Sequence, residues 1–217
     1  VFGDICQALA SKAEKKYVAR LDRSRRFGSE KSLARLAFQV QKGDAKKALN
    51  ILEDADLAET SIVNITDDTT LLGLLQRFVI PFYCNFIKMF ENKAKAETLF
   101  DKLNEMMVLC VHRNGAHGVN QINSSIANQL SAEGLITDSQ LVYPGLPIMV
   151  TKNDSNLGVF NGDIGLVISE GGSSKTLKAM FRDAEGKQYF VSLRRLEYQV
   201  AYCNTVHKAQ GSQAEKV

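Results

Sequence analysis

The sequence predicts an α/β fold carrying a small inserted antiparallel β barrel, and three observations point to it. An apolar run of strand length at 107–111 passes through a glycine-containing loop into a helical pattern from Val119, the strand–loop–helix order of α/β domains. After Tyr143-Pro144-Gly145 the texture changes to short apolar runs separated by turn dipeptides. The chain then returns at 199–203 to an apolar segment and a helix-like start near Val206.

The elements follow in order. Ile5, Leu9 and Ala13 fit one helix face over 5–16, and 17–21 reads as a short strand. Ser29 or Ser32 caps a helix to about Val40, with Leu33, Leu36, Ala37 and Val40 on one face. Gly43-Asp44 breaks it, and 45–52 forms a second short helix. Residues 61–66 alternate apolar and polar as a strand does. Asp67 opens a long helical region with Leu71, Leu74, Leu75, Phe78 and Val79 on a wide apolar face, which Pro81 should kink or divide. Residues 94–106 are helical again, burying Leu99, Phe100 and Leu103. The run 107–111 suits a central parallel strand covered on both faces, and a helix follows over 119–130. Four strand-like runs at 147–152, 163–169, 176–181 and 188–193 are separated by Asn161-Gly162, Gly171-Gly172 and Glu185-Gly186. Their length and regular spacing suggest the small barrel. The expected domains are therefore 1–143, an insert at 144–198, and a return at 199–217.

Bulk properties narrow the function classes. The chain has 217 residues, 45% hydrophobic and 24% charged, enough for a packed core and too apolar for general disorder. A net charge of +3 permits nucleic-acid binding without arguing for it. Cys6, Cys84, Cys110 and Cys203 form no CxxC pair, and His112 and His117 have no third ligand nearby, so no metal site is expected. Scattered cysteines and no leader predict a soluble cytoplasmic chain, and the stretch 78–90 is too interrupted to span a bilayer, so no membrane partner is expected. The chain opens at Val1 without methionine and closes at Val217 after a helix-like start, as if cut from a larger protein.

The most specific string is Thr205-Val206-His207-Lys208-Ala209-Gln210-Gly211-Ser212, where an apolar strand runs into hydroxyl, lysine and glycine groups suited to a phosphate backbone. Others are Ser24-Arg25-Arg26-Phe27-Gly28, Arg113-Asn114-Gly115-Ala116-His117-Gly118, and Val150-Thr151-Lys152-Asn153-Asp154 followed by Val159-Phe160-Asn161-Gly162-Asp163-Ile164-Gly165. The last is mostly architecture: a tight turn at Asn161-Gly162, and close packing or a bulge at Gly165. The Arg113–Gly118 loop either sits over DNA or nucleotide or is a structural turn.

In this order the strings resemble the C-terminal half of the motor core of RecD-type superfamily-one DNA helicases, the alpha subunits of exodeoxyribonuclease V. The 205–212 string is similar to the family's motif V, and Val1-Phe2-Gly3-Asp4-Ile5-Cys6 resembles a helix start that follows motif III. Arg26 matches the motif IV arginine that reaches the terminal phosphate of ATP, with Arg25 where the family has tyrosine. The resemblance implies a RecA-like second motor domain of the P-loop NTPase type with an inserted SH3-like barrel. Thr205, His207 and Lys208, with Lys152 and Asn153, would face single-stranded DNA; Arg26, Gln210, Gly211 and Gln213 would face ATP. Gln213 stands where the family places glutamate. No G-x-x-x-x-G-K-[ST] loop occurs, so ATP and Mg2+ would be held mainly by a first motor domain before Val1, and motif VI would follow Val217. No cofactor is expected in this stretch alone, which should be inactive by itself. RecB- and RecC-like subunits are the implied partners, in 5′ to 3′ unwinding for recombinational DNA repair. A stand-alone or conjugative RecD-like helicase, or a non-catalytic DNA-binding or scaffold subunit, are the alternatives.

Overall fold

A computed structural model describes residues 4, 8, 32–54, 60–136, 142–170, 176–183, 185–210 and 212–217. The expected helix at 5–16, apart from helical Asp4 and Ala8, the strand at 17–21 and the Arg26 string lie outside the described residues. The chain divides into two compact units, 1–65 and 66–217.

In the first unit α1 (Ser32–Lys42) packs on α2 (Ala45–Glu53). Gly43, at φ +74, ends α1, and the Asp44 side chain then caps α2 by accepting from the Lys47 N–H at 3.1 Å. Ala48 and Ile51 are buried. The expected α1 face is not: Leu33 and Val40 are 40% and 64% exposed, because two short helices offer too little surface to cover it.

At the end of the first unit the strand expected at 61–66 is coil. Ile62, Val63 and Ile65 are exposed, and no strand pairs with them among the described residues. Asp67 then caps α3 (Asp68–Leu74), accepting from the Thr70 N–H at 2.7 Å. A π-helical turn (Leu75–Val79) leads directly into α4 (Ile80–Glu91), with the Ile80 N–H donating to the Leu75 carbonyl. This wide turn stands just before Pro81, whose ring would meet the carbonyl of Arg77 in a regular helix. The extra residue rotates the buried face, so Phe78 is exposed while Leu75, Val79, Ile80, Tyr83, Phe86 and Ile87 are buried. By length and composition the helical stretch 68–91 would suffice to cross a membrane, which the reading of 78–90 alone did not anticipate; its apolar face is here packed into the core. Burying Phe86 completely contributes roughly 3 kcal/mol. α5 (Ala96–Leu103) places Leu99 and Phe100 beside it.

Next come β1 (Val108–Cys110) and α6 (Val119–Ala132), then β2 (Pro147–Val150), β3 (Ile164–Glu170), β4 (Thr176–Arg182), β5 (Gln188–Ser192), β6 (Tyr198–Val200) and β7 (Cys203–Thr205). The result is α/β with mixed pairing. Five strands make an antiparallel sheet in the order β5-β4-β3-β2-β6, and no pairing closes it into a barrel among the described residues. Central β2 is buried throughout, with Pro147 at its first position, where a missing N–H costs least. Gly165 lies under the Phe181 ring: a Cβ there would sit 2.6 Å from Cε1, and Phe181 stacks on Tyr189 at 5.4 Å.

β1 pairs parallel with β7. It is half-buried rather than covered on both faces, because β7 is its one paired strand among the described residues. The link from β6 to β7 carries the chain from one sheet to the other. It is pinned there by the Ala201 N–H on the Pro147 carbonyl and the Tyr83 hydroxyl on the Tyr202 carbonyl, both at 3.0 Å. The helix expected from Val206 is replaced by a turn over 206–210. Lys216 then bridges Met106, its N–H and carbonyl bonded to Glu105 and Met107, so this stretch runs beside a strand rather than coiling.

Candidate functional site

Because β1 and β7 run parallel, their carboxyl ends open on one edge, the position where α/β folds place ligands. Two loops leave that edge: 111–118, leading to α6, and the turn 206–210. The Val206 N–H donates to the Cys110 carbonyl at 3.1 Å, tying the root of the second loop to the end of the first strand.

The first loop is compact. The N–H groups of Val119 and Asn120 donate to the carbonyls of His112 and Arg113. The Asn120 side chain reaches back to Asn114 at 2.8 Å. Gly118 is required by close backbone approach, since a Cβ would lie 2.6 Å from the Asn114 carbonyl carbon. The second loop closes on Thr205, whose carbonyl accepts from the N–H groups of Lys208 and Ala209 at 3.0 and 3.2 Å. The Thr205 hydroxyl also faces the Lys208 N–H, at 3.4 Å.

The loops bring Lys208 within the field of Arg113. Partial burial first, and Arg113 second, hold the Lys208 ammonium below the usual lysine range. Neither cation has a carboxylate in salt-bridge reach among the described residues. A partly buried lysine facing an exposed arginine suits an anion placed between them. Lys208 and Asn204 line a cavity of about 90 Å³, where the Asn204 side-chain oxygen is buried without a partner. His207 and Gln210 line a neighbouring cleft of about 340 Å³ with Met107 and Leu109.

The expected site residues are thus distributed. Thr205, His207, Lys208 and Gln210 stand together on the β7 turn, with His207 and Gln210 exposed. Gln213 is exposed just beyond it, while Gly211 and Arg26 lie outside the described residues. Lys152 and Asn153 are engaged by their own surroundings. Lys152 pairs with Glu197 at 2.7 Å, and the Asn153 side-chain oxygen accepts from the Asn161 N–H at 2.7 Å, shaping the turn before β3.

Two residues of the site were not named as site residues from the sequence. Arg113 was visible only as part of a loop string. Asn123 is a polar residue on the buried stripe Val119, Ile122, Ile126 and Leu130, and that interruption was the signal. It is 9% exposed and bonds only backbone: its oxygen accepts from the Cys203 N–H at 2.9 Å, and its amide donates to the carbonyls of Cys203 and Val200 at 3.3 and 3.2 Å. The Cys203 thiol beside it lies 3.2 Å from that of Cys110, and burial holds it well above the usual thiol range.

No protein-family model matches the chain. Among curated proteins it is similar to the RecBCD enzyme subunit RecD of Mycolicibacterium smegmatis, 31% identical over 100% of this chain and 36% of that protein. It is similar to the same subunit of Haemophilus influenzae, 28% identical over 89% of this chain and 31% of that protein. An ATP-dependent RecD2 DNA helicase of Deinococcus radiodurans is 30% identical over 50% of this chain and 15% of its own length. The chain spans about a third of the length of the two RecD subunits. Among solved structures, a Bacteroides Pif1 helicase in complex with ADP-AlF3 and single-stranded DNA covers 70% of this chain and 42% of its own at 19% identity, with a TM-score of 0.34. That likeness is too distant to carry the fold.

Proposed function

We propose that this chain, similar to RecD subunits along most of its length, contributes single-stranded DNA contacts and one wall of the nucleotide cleft to an ATP-dependent DNA helicase of the RecBCD type. The observation that carries this reading is the placement of Lys208 and the Arg113 loop at the same carboxyl edge of the parallel pair β1 and β7, with no carboxylate in salt-bridge reach of either cation among the described residues. Such a pair takes a phosphate, and the hydroxyl of Thr205 at the root of the turn supplies a further polar contact.

In this reading the second unit holds the core of a RecA-like second motor domain, and the five-stranded sheet corresponds to an SH3-like insert. Arg26 meets the terminal phosphate of ATP, while Gln210, Gly211 and Gln213 line the approach to the nucleotide. Thr205, His207 and Lys208 face the DNA strand, and Lys152 and Asn153 lie on the insert's side of the track. Mg2+ requires acidic ligands, and the side chains gathered at the β1–β7 edge are cationic or neutral, so the metal and most of the nucleotide fall to a first motor domain. RecB- and RecC-like subunits, 5′ to 3′ movement and a cytoplasmic setting belong to the same proposal.

The test is ATP hydrolysis by the complete gene product, with and without single-stranded DNA, in wild type and Arg26→Ala. Hydrolysis is expected to be stimulated by DNA and to fall on the order of 10²-fold in the variant. Equal activity in both proteins removes Arg26 from the cleft and leaves the helicase standing. A folded wild type that shows no DNA-stimulated hydrolysis, even with its partner subunits, points to a scaffold instead.

A further inference from the structure

We infer that Asn123 is a positioning residue, standing in for a missing strand beside β7 and thereby setting where the 206–210 turn presents Lys208. The inference rests on the helicase reading above, since it assigns a device to that site.

Backbone groups along a strand point alternately to its two sides. The Val206 N–H faces β1, where it meets Cys110, so Cys203 and Thr205 face the other way. β1 is the one strand paired with β7 among the described residues, which leaves the outward groups of Cys203 and Thr205 without a ladder. The Thr205 carbonyl is met from within the turn, by the N–H groups of Lys208 and Ala209. Cys203 is completed by a side chain: Asn123 accepts from its N–H and donates to its carbonyl, the pairing a neighbouring strand would make. The remaining bond, to Val200, clamps the other end of the β6–β7 link.

Asn123 therefore holds the base of the turn on one side while β1 holds it on the other. It sits on α6, the helix that the Arg113 loop feeds into, so one rigid element indexes both cation-bearing loops. An apolar residue would fill the same volume and keep the stripe continuous, but would leave two backbone groups of Cys203 buried and unpaired. Aspartate keeps the acceptor for the Cys203 N–H but sets a carboxylate oxygen against the Cys203 and Val200 carbonyls, which loosens the clamp on that side.

The experiment compares wild type, Asn123→Asp and Asn123→Ser in the complete gene product, following ATP hydrolysis against single-stranded DNA concentration, with thermal melting in parallel. For Asn123→Asp the half-saturating DNA concentration is expected to rise about 10-fold while turnover at saturating DNA stays within about 2-fold; serine, with one shorter-reaching hydroxyl, should shift in the same direction. A loss of turnover at unchanged half-saturation, or no change in either, overturns the inference. So does failure of both variants to fold, which makes Asn123 a folding residue. Absence of DNA-stimulated hydrolysis in the wild type overturns the function reading itself, a result distinct from all of these.

Discussion

Lys208 is the residue at which charge, burial and loop geometry meet. Its ammonium is held low by partial burial and by Arg113, and in the proposed reading a DNA phosphate seated beside the two would restore it. Binding therefore favours the protonated form. At pH values above the free protein's Lys208 pKa, association draws in a proton, so affinity for single-stranded DNA falls as pH rises through that value. The fall should begin at lower pH than an ordinary surface lysine would give. Lys208→Arg, charged throughout, should flatten this arm of the profile, measured by oligonucleotide anisotropy between about pH 7 and about pH 10. Identical profiles in the two proteins would remove Lys208 from the contact. In the same assay, Arg113→Ala and Lys208→Ala should each reduce the slope of log affinity against log salt by about 0.7, the increment for one phosphate contact on a single strand.

Among the elements, β3 and β4 are held at contact distance by Gly165. Alanine there drives a methyl group into the Phe181 ring, itself fixed between buried neighbours and Tyr189, and should lower stability by about 1–3 kcal/mol in a denaturant titration. A loss under about 0.5 kcal/mol would mean that Phe181 moves freely. That glycine was legible from the sequence, as were the boundaries of β2 to β5, because turn residues fix where strands must stop. The break at Gly43-Asp44 and the helix start at Asp67 were equally plain, and the structure adds that both aspartates cap the helices that follow them. Phe78 was placed on the wrong face because no pattern announces an inserted π-turn. Residues 61–66 alternate as a strand does but pair with no strand among the described residues, and alternation carries no information about partners. At the site, the 205–212 string could be read as a string. The meeting of Lys208 with Arg113 could not, because it depends on β1 finding β7.

Taken whole, the chain has its internal contacts in two units, and the boundary falls in the coil at 61–66, whose side chains are exposed and which makes no ladder hydrogen bonds among the described residues. Limited proteolysis should cut there first, leaving a resistant core that begins near Asp67. Early cleavage within 144–198 would instead make the antiparallel sheet the weaker part. The strands that build the site are far apart in sequence: Cys110 and Cys203 lie 93 positions apart yet side by side. Closing a loop of that length costs chain entropy that only the finished packing repays, so the β1–β7 pairing that frames the site is expected to be a slow, late-rewarded contact as the chain folds.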